Sequence, residues 1–175
     1  MLRASADSSN DLIFFKDLQS RFLGCNKQFE KFVGASEGAI IGKTDGQLFA
    51  IEQALMCVKQ DRHVMSTKNS YHGEEYLTFN DEKRHFIAMK KEPLLDKYGN
   101  VQGLIGIGRD ITARHLLEKQ LKIANVVFEN SNDSIFVTDA AGIIISANQS
   151  STRISGYSKK ELLSQPIHLL SSHLH

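Results

Sequence analysis

The chain carries part of itself twice. A shift of 122 positions (148 − 26) lays residues 9–43 on residues 131–165 without a gap. Nine of the 35 pairs are identical: Ser9/Ser131, Asn10/Asn132, Asp11/Asp133, Ile13/Ile135, Phe14/Phe136, Asp17/Asp139, Asn26/Asn148, Gly34/Gly156 and Ser36/Ser158. Ordinary composition gives about two such matches. Phe22/Ile144, Leu23/Ile145, Phe32/Ile154, Ile40/Leu162 and Ile41/Leu163 stay apolar. The period is too long for a solenoid unit, so it marks two tandem domains. The first reads as complete, and the second as about the first third of a copy, ending at His175.

Between the copies, one stretch changes character midway. Val101, Leu104, Ile105 and Ile107 form a short apolar run after the turn at Tyr98, Gly99 and Asn100, which predicts a buried strand over 101–109. At Asp110-Ile111-Thr112 the pattern breaks, and either Asp110 or Thr112 can cap a helix. From Ala113 to Asn130 the residues favour helix, with no Gly or Pro. Leu117, Leu121, Ala124 and Phe128 step by four, three and four, and so share one face. A strand is therefore expected to run directly into an amphipathic helix.

The rest of the first unit follows from local signals. Residues 12–16 and 21–25 read as a hairpin, and Asn26 caps a helix over Lys27–Val33 that Gly34 stops. Residues 36–41 read as one helical turn ended by Gly42. Residues 50–66 read as the longest helix, with Ile51, Ala54, Leu55, Val58 and Met65 as its buried stripe. Strands over 71–79, 84–95 and 101–109 can make a meander, beside which the first hairpin must pair. The fold class is α+β: a five-stranded antiparallel sheet with helices packed on one face, followed by a connector helix. The divisions are residues 1–10, the end of an upstream helix; 11–112, a complete domain; 113–131, the connector helix; and 132–175, the truncated second copy. That copy, short of a long helix and three strands, is expected to be loosely held or to borrow a neighbour's surface.

Composition narrows the function. Hydrophobic residues are 41% and charged residues 23%, ordinary for a chain that buries a core. The net charge of +1 argues against an electrostatic hold on nucleic acid or anionic lipid. No apolar run approaches the ~20 residues of a bilayer span, and no signal peptide is visible. Cys25 and Cys57 have neither CxxC spacing nor a framework, so they are read as reduced thiols in a cytoplasmic setting.

Five stretches follow one another: Asp11-Leu-Ile-Phe-Phe-Lys-Asp17, Gly24-Cys-Asn26 before a helix, Ile41-Gly-Lys-Thr-Asp45, Gly103-Leu-Ile-Gly-Ile-Gly-Arg109 and Asp110-Ile-Thr112. In this order they resemble the PAS family. In the second copy, Ser134-Ile-Phe-Val-Thr-Asp139, Ala147-Asn148, Ile154-Ser-Gly-Tyr-Ser158 and Glu161-Leu-Leu163 are similar again. The resemblance implies a sensory module of a bacterial signalling protein. It would detect a small ligand or another cue and pass it through Asp110, Ile111 and Thr112 to an output domain in the same polypeptide. The second copy is also similar to units upstream of GGDEF and EAL domains, which make and degrade cyclic di-GMP. A histidine kinase sensor region and a ligand-free dimerisation or docking module are the alternatives. Leu117, Leu121, Ala124 and Phe128 would then form a homodimer seam.

Chemistry-bearing signals are few. There is no P-loop, GxSxG or HExxH, and the chain is not expected to be an enzyme. Glu74 and Glu75 are neighbours on a strand, facing opposite ways, and read as solvated edge charges. Gly103, Gly106 and Gly108 lie within a strand, where missing side chains allow close helix packing, not a phosphate loop. His63 stands near a helix C-terminus, so haem is not expected. The cysteine pattern of adduct-forming flavin domains is absent, so flavin is not expected either. His168, His173 and His175 crowd the tail without a fourth ligand, and no metal is expected. The ligand stays unknown. A pocket between sheet and helices is expected to draw on Phe29, Phe32, Leu55, Met56, Phe86, Met89, Lys90 and Ile105. Lys90 or Arg109, if inward, would suit a carboxylate. Ten phenylalanines could equally fill that space.

Overall fold

A computed structural model describes residues 6–171. The chain divides into two compact units, Met1–His115 and Leu116–His175. The first holds strands β1 (Leu12–Asp17), β2 (Phe22–Cys25), β3 (Tyr71–Thr78), β4 (Arg84–Leu95) and β5 (Val101–Asp110). Its helices are α1 (Lys27–Val33), α2 (Glu37–Ile40), α3 (Asp45–Leu48) and α4 (Ile51–Thr67). Helix α5 (Thr112–Asn130) follows β5 after a single residue. The sheet order is β2-β1-β5-β4-β3, antiparallel throughout, so the meander and the first hairpin meet along β1 and β5. This is the expected α+β sheet, with β5 at its middle. Helix α3 was not anticipated from the sequence.

Alternation along each strand decides what enters the core. Leu12, Phe14 and Lys16 of β1 point inward, as do Ile87, Met89 and Lys91 of β4, and all six are buried. The register sets Phe14 opposite Gly106, and Gly106 opposite Lys91. A Cβ on Gly106 would lie 2.1 Å from the Phe14 ring, so this glycine lets a ring cross its own sheet. The glycines of β5 thus serve packing within the sheet, where helix packing was expected: Gly106 lies against the Phe14 ring, Gly103 against the Lys16 carbonyl, and Gly108 against Ile87 and Met89. Phe14, Phe22, Phe29 and Phe32 form a chain of ring contacts with centroids 5.0–5.7 Å apart. Phe49 and Phe79 extend it from Phe32. Each fully buried phenylalanine contributes up to about 3 kcal/mol by leaving water, so this cluster dominates the apolar driving force.

The buried stripe of α4 differs from expectation. Ile51 and Leu55 are exposed, at 79% and 65%. The buried positions are Ala54, Gln60, Asp61 and Val64. Two of these are polar because polar partners on the sheet already wait beneath the helix.

The second unit contains β6 (Phe136–Thr138), β7 (Ile144–Ala147), α6 (Gln149–Ser155), α7 (Lys159–Leu162) and α8 (His168–Ser171) among the described residues. Ile144, Ala147 and Leu162 make its small core, with Phe136, Leu163 and Leu170 against it. Residues 1–5, part of the expected upstream helix, and His173 and His175 lie outside the described residues.

Candidate functional site

Four charged side chains meet under the sheet. Lys16 Nζ lies 2.7 and 2.6 Å from Asp45 Oδ1 and Oδ2, and 2.7 Å from Asp61 Oδ2. Lys91 Nζ lies 2.6 Å from Asp61 Oδ1. All four side chains are at most 1% exposed. Strand parity places Lys16 and Lys91, the first turn of α3 places Asp45, and the inner stripe of α4 places Asp61. Burial opposes the charge on Lys16, but the Asp61 and Asp45 carboxylates more than offset it and hold this lysine above its ordinary value. Burial pushes Asp45 up, and Lys16 counters that only in part. The lysines also approach aromatic faces: Lys16 Nζ lies 4.6 Å from the Phe22 centroid, and Lys91 Nζ 5.9 Å from that of Phe14. Two positive and two negative groups cancel, so the network is complete in itself and offers no free charge to an anion.

The aromatic cluster beside it is nearly closed. Phe14, Phe29, Phe32, Phe49, Met89 and Lys91 are among the residues around a void of about 20 Å³. That is room for about one water. Phe29, Phe32 and Met89 are buried as expected, and Met56 is half-buried. Four expected pocket residues are not there. Leu55 faces solvent on α4, because the helix turns its polar stripe inward. Phe86 and Lys90 alternate with Ile87 and Met89 and so occupy the opposite face of β4. Ile105 pairs with Phe15 and Glu92, and lies on that same outer face. Arg109 is also outside, bidentate to Asp11 at 3.0 and 2.9 Å. The inward cations are Lys16 and Lys91, and both were missed. The signal was available: Lys16 shares parity with Leu12 and Phe14, and Asp61 lies at helical spacing from Cys57 and Val64.

Glu75 also departs from expectation. It is turned toward α4 and bonded to Gln60, whereas Glu74 is exposed. Burial raises both thiols, Cys25 to about 12 and Cys57 to about 11, so neither is a thiolate nucleophile at neutral pH. No three-residue metal-ligating group occurs among the described residues. His63 is exposed on α4.

The junction between β5 and α5 is held by side chains. Asp110 Oδ1 accepts from the Thr112 amide at 2.9 Å and from its hydroxyl at 2.6 Å. Thr112 Oγ1 in turn accepts from the Phe86 amide at 2.8 Å, and the Ile111 amide donates to Phe86 O at 2.9 Å. His85 Nδ1 lies 2.7 Å from Asp110 Oδ2. Partial burial would raise Asp110, but the Thr112 and His85 hydrogen bonds outweigh it and hold the carboxyl below its usual range. The His115 ring, one turn into α5, tilts over Phe86 at 4.0 Å. Asp110, Ile111 and Thr112 are thus brought together with β4, as a clasp around the helix start. Beyond it, α5 has no buried residue. Leu117, Leu121 and Ala124 are exposed and Phe128 is half-buried, while Leu116, Ile123, Val126 and Val127 are exposed as well.

The repeat is reproduced in hydrogen bonds. Asn26 Oδ1 accepts from the Ile13 and Phe29 amides, and its Nδ2 donates to Ala6 O and Asp11 O. Asn148 does the same 122 positions later, with Ile135, Ser151, Phe128 and Asp133. Asp17 and Asp139 each close the following turn by accepting from amides two and four residues on.

Comparisons with known proteins agree with this geometry. A family model described as the PAS fold matches residues 6–116, and a second PAS-fold model matches residues 125–175. The aerobic respiration control sensor protein ArcB of Escherichia coli K12 is 31% identical over 124 residues, 71% of this chain. A diguanylate cyclase of Vibrio cholerae is 29% identical over 116 residues, 65% of this chain. The chain spans only 16% of the first relative's length and 36% of the second's. The crystal structure of a PAS domain from Colwellia psychrerythraea superposes with a TM-score of 0.55 at 26% identity, covering 65% of this chain and 97% of that one.

Proposed function

Because the chain belongs to the PAS family, we propose that it is the sensory and regulatory module of a bacterial signalling protein, itself without catalytic activity. Its first unit responds to a cue, and the response passes through Asp110, Ile111 and Thr112 into helix α5 and on to an output domain in the same polypeptide. The observation that carries this reading is the clasp. The central strand β5 reaches the helix with one residue between them, and β4 holds the first helical turn through Phe86. A shift of the sheet is then a shift of the helix start.

Helix α5 suits the relay because much of its apolar surface is exposed. Six large apolar side chains on it are at least half exposed, which a 19-residue helix tolerates poorly alone. A second copy of the helix, laid along Leu117, Leu121, Ala124 and Phe128, would bury part of that surface as a parallel dimer. The similarity to a diguanylate cyclase supports cyclic di-GMP turnover as the output, and the similarity to ArcB supports the kinase alternative. No helix among the described residues is long and apolar enough to cross a membrane, and we read the module as cytoplasmic.

The nearly filled core favours a second reading, a docking or dimerisation module whose interior takes no ligand. The test is Asp110→Ala in the full-length protein. Output that no longer follows the stimulus, with the first unit still folded, supports the relay. Unchanged regulation contradicts it.

A further inference from the structure

Outside the aromatic core, a groove of about 520 Å³ opens where α4 lies beside β3. Met56, Gln60 and His63 form its helical side, and Tyr71, Glu74 and Glu75 its strand side. Its floor is polar and strongly constrained. Gln60 is only 6% exposed. Its Nε2 donates to the Tyr71 hydroxyl at 3.1 Å and to Glu75 Oε2 at 2.5 Å. That uses the donors of the amide. Gln60 Oε1 and Glu75 Oε1 are both shielded from solvent, and neither has a donor among the described residues. Two acceptors in such a state, on side chains already in contact, ask for a group rich in N–H.

The charge count points the same way. Lys16, Lys91, Asp45 and Asp61 sum to zero. In the groove, Glu74 and Glu75 add two negative charges and Lys59 one positive; Lys91 acts on Glu75 through space, and no salt bridge reaches Glu75 among the described residues. An ammonium supplies three donors and one positive charge, which matches both deficits. A divalent metal does not match, because no three-residue ligand set gathers there. Lys59 and His63 border the groove and disfavour a second positive charge. Met56 gives an apolar tail something to cover.

We propose that this groove binds a small organic monocation through a primary ammonium group, with the half-buried Glu75 side chain turning its Oε1 out of the floor to meet the ammonium beside Gln60 Oε1 and the Tyr71 oxygen. The site is separate from the relay, so it stands whether or not Asp110 couples sheet to helix. The competing occupant is a proton. Burial already raises the Glu75 carboxyl, so binding should weaken as pH falls through its titration.

The test uses the 175-residue chain and 1-butylammonium chloride, with 1-butanol as the neutral isostere at matched ionic strength. Nitrogen-15 NMR follows the Gln60 side-chain amide and the backbone amides of Gly73 and Glu75. Butylammonium should shift them saturably, and both Glu75→Gln and acidic pH should weaken binding by about tenfold or more, the loss of one charge-assisted contact. Thermal unfolding checks that Glu75→Gln is folded, and the butanol comparison needs no variant. Absence of saturable shifts, equal binding of butanol, or full binding by folded Glu75→Gln would each overturn the proposal. Titration of Glu75 with no response to butylammonium would assign the site to a proton alone.

Discussion

Asn26 and Asn148 make the same four backbone hydrogen bonds, yet the interiors they frame have little in common. Lys16 is buried between two aspartates, and its counterpart Thr138 is exposed. Asp45, which holds Lys16, is replaced by Ile167. Phe32 is 3% exposed, and Ile154 in its place is 63% exposed. The frame is local. A cap, an aspartate turn and a left-handed glycine need only neighbours within about two dozen residues. The interior depends on partners far along the chain, above all Asp61 on α4 and Lys91 on β4. A sequence can therefore keep the frame of a fold while exchanging what fills it.

The largest test of this contrast is Asp61→Ala. It leaves Lys16 without one partner and Lys91 without its carboxylate, and breaking a buried pair costs about 3–5 kcal/mol. The denaturation midpoint of the first unit should fall accordingly. Replacing the whole network with apolar residues of similar volume should cost far less, because the desolvation penalty leaves with the charges.

Next come the two asparagines. Asn26→Ala removes four hydrogen bonds and should cost about 2–4 kcal/mol, given about 1 kcal/mol for each and more where an amide is left unpaired. Asn148→Ala should loosen residues 128–151 in amide exchange. A first-unit midpoint moved as far by Asn148→Ala as by Asn26→Ala would break the comparison.

The pH response should divide the copies as well. Lys16 is held above its unfolded value, so its contribution is fully present below about pH 10.5 and is lost as pH rises through the folded value. Thr138 has no proton to lose. Denaturant titrations across alkaline pH should therefore show the first unit losing stability, and Lys16→Met should flatten that slope.

The smallest effect concerns the helix-ending glycines. Gly156 has φ 79° and open space where a Cβ would go, so Gly156→Ala should cost only the left-handed strain, about 1–2 kcal/mol. At Gly34, φ 76°, the Cβ would meet the Asn80 side chain. Asn80 is exposed and can turn away, so the two substitutions should differ by less than about 1 kcal/mol.

The frame was the legible part. Asn26, Gly34 and the 122-residue offset announce caps and turns through side chains that bond within their own segment. The meander and a hairpin paired beside it followed from strand lengths and from the need to pair a short hairpin; that β1 is the hairpin strand that joins β5 did not. The site was less legible because long-range pairing overrode residue type. Nothing local distinguishes Lys16 from Lys90, or Asp61 from Glu52. Only parity and helical spacing, applied to charged residues as strictly as to apolar ones, would have placed Lys16, Asp61 and Lys91 inside. Leu55, Phe86 and Ile105 were assigned to the pocket by hydrophobicity, and each lies on an outward face fixed by its neighbours.

The central claim is that the sheet controls where and how firmly α5 begins. Amide hydrogen exchange over residues 84–116 of the 175-residue chain, with and without Asp110→Ala, tests it directly. Loss of this cap should weaken the helix start by about 0.5–2 kcal/mol. Exchange should then quicken at Phe86 and through the first turn of α5, while β1 stays protected. Unchanged protection at Phe86, Thr112 and the residues after it would show that the clasp does not join strand to helix.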